Sequence, residues 1–219
     1  MTGPQTSVVI ADQLRELIVD GTYAPGEQVS EASLTAQLRI SRGPVREALQ
    51  RLAQEGLLVS HRNRGVFVVE LTDTDIAEIY AAREAIELAA ARVLLALPAR
   101  ARSAVAARLR AIADAMPPLV AAGDWSAVAA QDLAFHEGLV AATGNSRLIR
   151  IYSTLAAESR ICMAHLRSAY ARPEALAEEH VRLVDLLAAG AHDELCAAIT
   201  THLSTAVADL TAMMSEPAR

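Results

Sequence analysis

The chain has 219 residues, a length that suits a small domain followed by a larger one. Of these residues 53% are hydrophobic, and the formal net charge is −6. Aromatic residues make up only 3%, so Leu, Ala and Val must form the core, and these residues favour closely packed helices. No secretory signal and no uncharged run of 18 apolar residues is present, so we expect a cytoplasmic protein that does not span a membrane.

The charge is unevenly distributed along the chain. Residues 39–64 hold six arginines and two glutamates, a net charge of +4, whereas residues 72–219 hold 13 arginines and 18 acidic residues, a net charge of −5. A basic segment on an acidic body is typical of a protein that docks on nucleic acid in one orientation.

The basic segment has helix-turn-helix spacing. After a first helix over about 7–19, Ser30 is a suitable N-cap for a helix over 31–38, and a short turn leads to a second helix that Ser41 caps and Gly56 ends. We expect the Ser41 hydroxyl to accept a hydrogen bond from the first turn of that helix.

The second helix has one apolar and one polar face. The apolar face consists of Val45, Ala48, Leu49 and Leu52. Arg42, Arg46 and Gln50 lie four residues apart on the other face. Arginines with this spacing also occur on ordinary solvated helices, but the preceding helix and turn favour a recognition helix whose first turn attracts phosphate and guanine edges.

Two short strands, over 57–60 and 66–69, are predicted after this helix. The segment between them contains Arg62, Arg64 and Gly65. A hairpin with a basic tip that follows a helix-turn-helix predicts a winged helix-turn-helix.

This region resembles the DNA-binding domain of GntR-family bacterial transcription regulators. The resemblance covers roughly residues 8–70 and lies in Tyr23-Ala-Pro-Gly26, in the run Ile-Ser-Arg-Gly-Pro-Val-Arg-Glu-Ala-Leu at 40–49, in Leu52 and in Glu55-Gly-Leu-Leu58. It implies that Arg42 and Arg46 contact operator DNA and that the wing at Arg62, Arg64 and Gly65 approaches the minor groove. Ser41 and Gln50, on the same helix, are predicted to contact the DNA with them. The family usually has Thr where this chain has Gly43, and residues 31–34 lack the arginine of many members, so the operator sequence does not carry over.

A polar joint at residues 71–75 separates this domain, 1–71, from a second domain, 72–219. Only helical periods follow, interrupted by Pro and Gly. Six helices are predicted, over 73–96, 99–115, 125–142, 146–170, 174–189 and 192–214. The predicted fold class is therefore mainly α, with an N-terminal winged helix-turn-helix and a C-terminal six-helix antiparallel bundle.

Four residues in the bundle have the spacing of a metal site. Asp132 and His136 are four residues apart and share one helical face. His180 and His202 each lie 11 residues from Ala191, where the turn between the last two helices is centred, so an antiparallel pair brings them to the same depth, about 16 Å from the turn. Three imidazoles and a carboxylate suit a divalent transition metal, preferably Zn, with Ni, Mn or Fe as alternatives.

The second domain is similar to the all-helical effector domain of the FadR subfamily, in its metal-binding branch. The resemblance covers roughly 72–214 and lies in Asp132-x-x-x-His136, Thr143-Gly-Asn145, Glu179-His180 and His202. Open metal positions would accept a small carboxylate, and the family's Arg-x-x-x-Glu pattern makes Arg83 the first candidate to bind it, with Arg160 second. A plain ion pair between Arg83 and Glu87 is the alternative. His165 and His192 match no ligand position, and Cys162 and Cys196 are read as two buried thiols.

Together these features predict a homodimeric repressor that binds palindromic double-stranded operator DNA and responds to a small organic acid. Three alternatives stay open: a metal sensor in which the ion is the signal, a fatty acyl effector without metal, and a metal-dependent enzyme. The enzyme is disfavoured because the sequence shows no nucleophile motif, no phosphate-binding glycine loop and no second carboxylate near the ligands.

Overall fold

The computed structural model describes residues 6–19, 21–164 and 173–214. The chain divides into two compact units, one ending at Thr72 and the other beginning at Asp73. The first unit combines helices with a small sheet, and the second is helical throughout its described part. The predicted mainly α fold is confirmed. None of the described helices combines the length and apolar character that crossing a membrane requires.

The first unit is a helix-turn-helix followed by a hairpin. Its elements are α1 (Thr6–Val19), β1 (Gln28–Val29), α2 (Glu31–Leu38), α3 (Arg42–Gln54), β2 (Leu58–His61) and β3 (Gly65–Val68). β2 and β3 pair antiparallel, and β1, which the sequence analysis missed, pairs antiparallel with the other edge of β3. Both hairpin strands lie within one residue of the predicted bounds.

The two serines that precede α2 and α3 behave differently. Ser30 caps α2, and its hydroxyl accepts a hydrogen bond from the Ser33 N–H at 3.2 Å. Ser41 occupies the N-cap position of α3, but its side chain makes no cap hydrogen bond, so that part of the prediction is wrong. Pro44 takes the third helical position and has no N–H, so one of the two groups that usually bind a capping side chain is missing.

The second unit contains seven helices in its described part rather than six. These are α4 (Asp73–Leu95), α5 (Ala99–Ala113), α6 (Met116–Ala122), α7 (Trp125–Ala141), α8 (Ser146–Ala164), α9 (Pro173–Ala189) and α10 (His192–Met214). The additional helix is α6. Pro117 and Pro118 were expected to mark a break, but they lie in the first turn of α6, where proline is tolerated. The predicted end of α8, over 165–170, and with it His165, lies outside the described residues.

Helix α4 is the central element of the bundle and packs against α7, α8 and α10. Its buried residues include Ala90, Ala91 and Leu94 together with two charged ones, Arg83 and Glu87. Small alanines allow the helices to approach closely, and the two buried charges must then find partners inside the bundle.

Candidate functional site

The two faces of α3 are separated as predicted from the sequence. Val45, Ala48, Leu49 and Leu52 are buried. Ser41, Arg42, Arg46 and Gln50 are all exposed. The apolar face therefore fixes the helix to its own unit, and the polar face is open to a ligand.

Arg46 is held by an ion pair that the sequence analysis did not anticipate. Its Nη2 donates to Glu31 Oε1 at 3.0 Å and its Nε donates to Oε2 at 3.3 Å. The Arg46 side chain is still 62% exposed. Glu31 on α2 thus orients the guanidinium without covering it.

The wing carries Arg62 and Arg64 at its tip, and both are exposed. Asn63 and Gly65 adopt positive φ angles of 61° and 106°, which turn the chain between β2 and β3. Gln28 Nε2 on β1 donates to the Arg64 carbonyl at 2.8 Å. A Cβ atom at position 65 would lie 2.6 Å from that same Nε2, so Gly65 has a geometric role in shaping the tip.

The four predicted metal ligands come together in the second unit. Asp132 and His136 lie on α7, His180 on α9 and His202 on α10. All four are buried, with at most 6% of any one exposed, and one ligand atom from each lies within 4.8 Å of every other. The rings of His180 and His202 are 4.7 Å apart between centroids, in keeping with their equal spacing from the turn.

The hydrogen bonds of the three rings select one tautomer for each. His136 Nδ1 is 2.7 Å from Glu87 Oε2, His180 Nδ1 is 2.7 Å from the Leu176 carbonyl, and His202 Nδ1 is 2.8 Å from Glu179 Oε2. Carbonyl and carboxylate oxygens only accept, so each Nδ1 must donate its proton. In the neutral rings, each Nε2 then presents a lone pair.

These lone pairs face one another. His136 Nε2 and His202 Nε2 are 3.1 Å apart. His180 Nε2 lies 3.2 Å from Asp132 Oδ1, but with the ring proton on Nδ1 it has none to donate to that carboxylate, and it has no hydrogen-bond partner among the described residues. Two facing lone pairs and an orphaned buried nitrogen are unfavourable by themselves.

A divalent cation would satisfy these atoms. Metal–nitrogen and metal–oxygen bonds of about 2.0–2.2 Å place neighbouring ligand atoms roughly 3 Å apart and opposite ones roughly 4 Å apart. Two separations in the cluster, 3.1 Å and 3.2 Å, match the first value, and the 3.9 Å between His136 Nε2 and Asp132 Oδ1 is close to the second. The residues present therefore fit a metal of the type predicted from the sequence.

The protonation states also suit metal binding. Burial lowers the pKa of His202 to about 4, with His180 and His136 adding to the shift against the opposing effect of Glu179. Burial alone would raise the pKa of Asp132, but the histidines around it outweigh burial and hold that pKa below its ordinary value. At neutral pH His202 is neutral and Asp132 is ionised, the forms that bind metal ions.

A buried network connects the cluster to Arg83, which is 1% exposed. Arg83 Nε donates to Glu87 Oε1 at 3.3 Å, Nη1 donates to Ser159 Oγ at 3.3 Å, and the guanidinium carbon lies 4.6 Å from the centre of the Tyr80 ring. The Tyr152 hydroxyl also donates to Glu87 Oε1, at 2.7 Å. Arg83 and Glu87 therefore form the ion pair that was considered from the sequence. Glu87 also accepts a hydrogen bond from His136, which connects Arg83 to the cluster.

Burial raises the pKa of an isolated carboxyl, but around Glu87 the electrostatic interactions with His136 and Arg83 and the hydrogen bonds from His136 and Tyr152 outweigh that effect and lower the pKa to about 2. Glu87 is therefore an anion with three hydrogen-bond donors around it. From the sequence, Glu87 is predicted only as a partner of Arg83, and no second carboxylate is expected near the ligands. That expectation is wrong, because Glu87 and Glu179 each accept a hydrogen bond from a ligand histidine.

The remaining predicted residues lie apart from this network or at its edge. Arg160, half-buried on α8, follows Ser159 and has no ion-pair partner in the described part of the chain. His192 is on the surface, with its ring nitrogen 2.9 Å from Asp193 Oδ1. Cys162 is buried as predicted, but Cys196 is only half-buried, because the buried face of α10 runs through Leu195, Ile199 and Leu203 and Cys196 lies beside it.

Comparison with known proteins assigns the family. The model of the gntR family of bacterial regulatory proteins matches residues 6–68, and the FCD domain model matches residues 78–205. This chain belongs to the GntR family. As a GntR regulator with an FCD domain, it is a transcription regulator that binds operator DNA and is not an enzyme.

Similar proteins match most of the length of this regulator. It is 34% identical over 203 residues to the "Probable D-xylose utilization operon transcriptional repressor" of Paenarthrobacter nicotinovorans, covering 91% of this chain and 88% of that protein. It is 32% identical to the gluconate operon transcriptional repressor of Bacillus licheniformis, covering 80% and 72%. A structural-genomics crystal structure named for GntR from Rhodococcus sp. RHA1 has a TM-score of 0.78 and 28% identity, covering 96% and 99%.

Proposed function

We propose that this regulator changes its affinity for operator DNA when a small carboxylic acid binds beside a divalent metal ion held by Asp132, His136, His180 and His202. The observation that carries the proposal is the convergence of three imidazole Nε2 atoms and one carboxylate in a buried cluster. When bound, the ion supplies Lewis acidity and open positions for a carboxylate oxygen. Zinc is the first choice for a ligand set of this kind, and nickel, manganese and iron are the alternatives.

The effector's class follows from the charges near the cluster. Arg83 is a buried cation one carboxylate away from His136, and it is the first candidate to bind an acidic effector, with Arg160 on α8 as the second. Two relatives are named for the D-xylose and gluconate operons. Sugar acids, which carry a carboxylate beside hydroxyl groups, are therefore the first compounds to test.

The DNA contacts are assigned to the exposed residues of the first unit. Ser41, Arg42, Arg46 and Gln50 would enter the major groove on α3. Arg62, Arg64 and Gly65 would bring the wing to the minor groove. Two copies of the chain, paired through residues 72–219, would place two domains of residues 1–71 on the halves of a palindrome. The Ser41 hydroxyl, which has no cap hydrogen bond, is available to a phosphate.

The effector regulates by preferring one arrangement of the dimer over another, and its influence on DNA affinity cannot exceed that preference. The regulator is proposed to bind the operator and repress transcription without the acid, and to leave the operator when the acid binds. A change of about 1–3 kcal/mol, or roughly 5- to 150-fold in operator affinity, is the usual size of such coupling.

The test uses the full chain, stripped of metal with a chelator and reloaded with zinc. Operator affinity is measured by fluorescence anisotropy as sugar acids are added. We expect a response only in the zinc-loaded protein, its loss in His180→Ala and its retention in His192→Ala, the matched surface control. If neither zinc nor any acid alters operator affinity, the proposal is wrong.

A metal sensor is the second candidate, and the burial of the ligands favours it. His136 and His180 are fully buried, which suits an ion better than an organic acid. If chelation alone changes operator affinity and no acid has an effect, the ion is the signal.

A further inference from the structure

Glu87 and Glu179 occupy equivalent positions around the cluster. Each carboxylate accepts a hydrogen bond from the Nδ1 of a histidine whose Nε2 faces the shared centre, Glu87 from His136 at 2.7 Å and Glu179 from His202 at 2.8 Å. The third histidine, His180, donates to a backbone carbonyl instead. In metal sites such outer hydrogen bonds fix the tautomer and the orientation of the ring.

Glu87 can play this part only as a carboxylate. Its Oε2 accepts from His136, while Oε1 accepts from both Tyr152 and Arg83. Glutamine has the same shape but offers one acceptor oxygen and an NH₂ group. In Glu87→Gln, the NH₂ group would face His136 or the pair Tyr152 and Arg83, and a donor would meet a donor.

We propose that Glu87 and Glu179 are positioning residues that hold His136 and His202 with Nδ1 protonated and Nε2 turned to the shared centre, and that Glu87 also connects this centre to Arg83. The inference rests on the proposed function because the centre is taken to be the metal site. It adds two residues outside the ligand set and assigns each to one ring. Glu87 acts from α4 on α7, and Glu179 acts from α9 on α10.

The position of Glu87 has a consequence for regulation. The same carboxylate contacts a metal ligand and the proposed effector-binding cation, so a change at Arg83 would reach the hydrogen bond of His136 through a single side chain. Zinc and a carboxylate effector should therefore each strengthen the binding of the other, by equal factors as linkage requires. Glu87→Gln should weaken this mutual effect and leave the part that comes from an effector oxygen bound to the ion itself.

Two variants with matched controls test the proposal in the full chain. In Glu87→Gln, the side chain can no longer accept from His136, Tyr152 and Arg83 together. Glu179→Ala removes the acceptor for His202, and the Glu179 side chain is 31% exposed. The first control is Glu84→Gln, on the same helix, where the carboxylate accepts from Thr200 at 2.6 Å. The second control is Glu178→Ala, the exposed neighbour of Glu179.

Zinc affinity is measured by competition with a chelating dye, and ring tautomers are measured in the metal-free protein by long-range ¹H–¹⁵N NMR. We expect Glu87→Gln and Glu179→Ala each to lose about 10- to 100-fold in zinc affinity and the controls to stay within about twofold of the parent. The NMR spectra should show Nδ1–H for His136 and His202 in the parent and a changed tautomer population for His136 in Glu87→Gln.

Unchanged zinc affinity and unchanged tautomers in both variants would overturn the inference. If Glu87→Gln does not fold, Glu179→Ala decides, because its side chain lies partly in solvent. If the parent protein binds no zinc, the proposed function has failed, whereas the tautomers of the metal-free protein still decide the positioning role of the two glutamates.

Discussion

Replacing Gly65 with alanine should destabilise the amino-terminal unit and distort its wing. Gly65 has φ +106°, where a side chain costs about 1–3 kcal/mol of backbone strain. The added Cβ would lie 2.6 Å from Gln28 Nε2, so Gln28 must move and give up its hydrogen bond to the Arg64 carbonyl, worth about 0.5–1.5 kcal/mol. We expect a total loss of about 2–4 kcal/mol.

Differential scanning calorimetry of the full chain measures this loss as a lower melting temperature of the first unit. For a domain of this size, about 1 kcal/mol corresponds to 4–8 °C, so the transition should fall by about 10 °C or more. Gly43→Ala is the matched control. No atom lies within 4 Å of its added Cβ and its φ is not in the left-handed region, so we expect a gain of about 0.4–1 kcal/mol.

A double-mutant cycle separates the two contributions. In a Gln28→Ala background, the clash and the hydrogen bond are both absent, and Gly65→Ala should cost only the backbone strain, about 1 kcal/mol less than in the parent. The reasoning is refuted if Gly65→Ala is as stable as Gly43→Ala, since the positive φ would then carry no cost.

Two further predictions concern DNA binding and the buried thiol. Arg46→Ala should weaken operator binding by about 1–3 kcal/mol, or roughly 5- to 150-fold, and reduce its salt dependence. Arg92 is an exposed arginine on α4, and Arg92→Ala should leave operator binding unchanged. Equal affinities of the two variants in anisotropy titrations would reject α3 as the recognition helix. Burial raises the pKa of the Cys162 thiol to about 12, so at pH 8 only about 10⁻⁴ of it is thiolate. Iodoacetamide should therefore label Cys162 at least about 10³-fold more slowly than a free thiol, as measured by mass spectrometry. Labelling at the rate of a free thiol would contradict the burial of Cys162.

Local patterns predicted most of the elements because their determinants are local. Ser30 caps α2 through a donor three residues away, and apolar positions at helical spacing fix the buried face of α3. Helix α6 was missed because two consecutive prolines usually mark a break, although the first turn of a helix accepts them. Strand β1 was missed because two residues are too short to show a period.

The four clustered residues were predictable for a similar reason. A helical turn relates Asp132 to His136, and symmetry about a turn relates His180 to His202. Glu87 and Glu179 reach their histidines across helix–helix packing, α4 against α7 and α9 against α10. No sequence period sets such distances. The same holds for the pair of Arg46 and Glu31, which depends on the angle between α2 and α3.

The zinc stoichiometry of the purified full chain, measured by elemental analysis after reloading and exhaustive dialysis, tests the proposed metal site directly. We expect one equivalent per chain in the parent and in His192→Ala, and none in a variant that combines His180→Ala with His202→Ala. Equal zinc content in the parent and the double variant, or none in the parent, would contradict the proposed site.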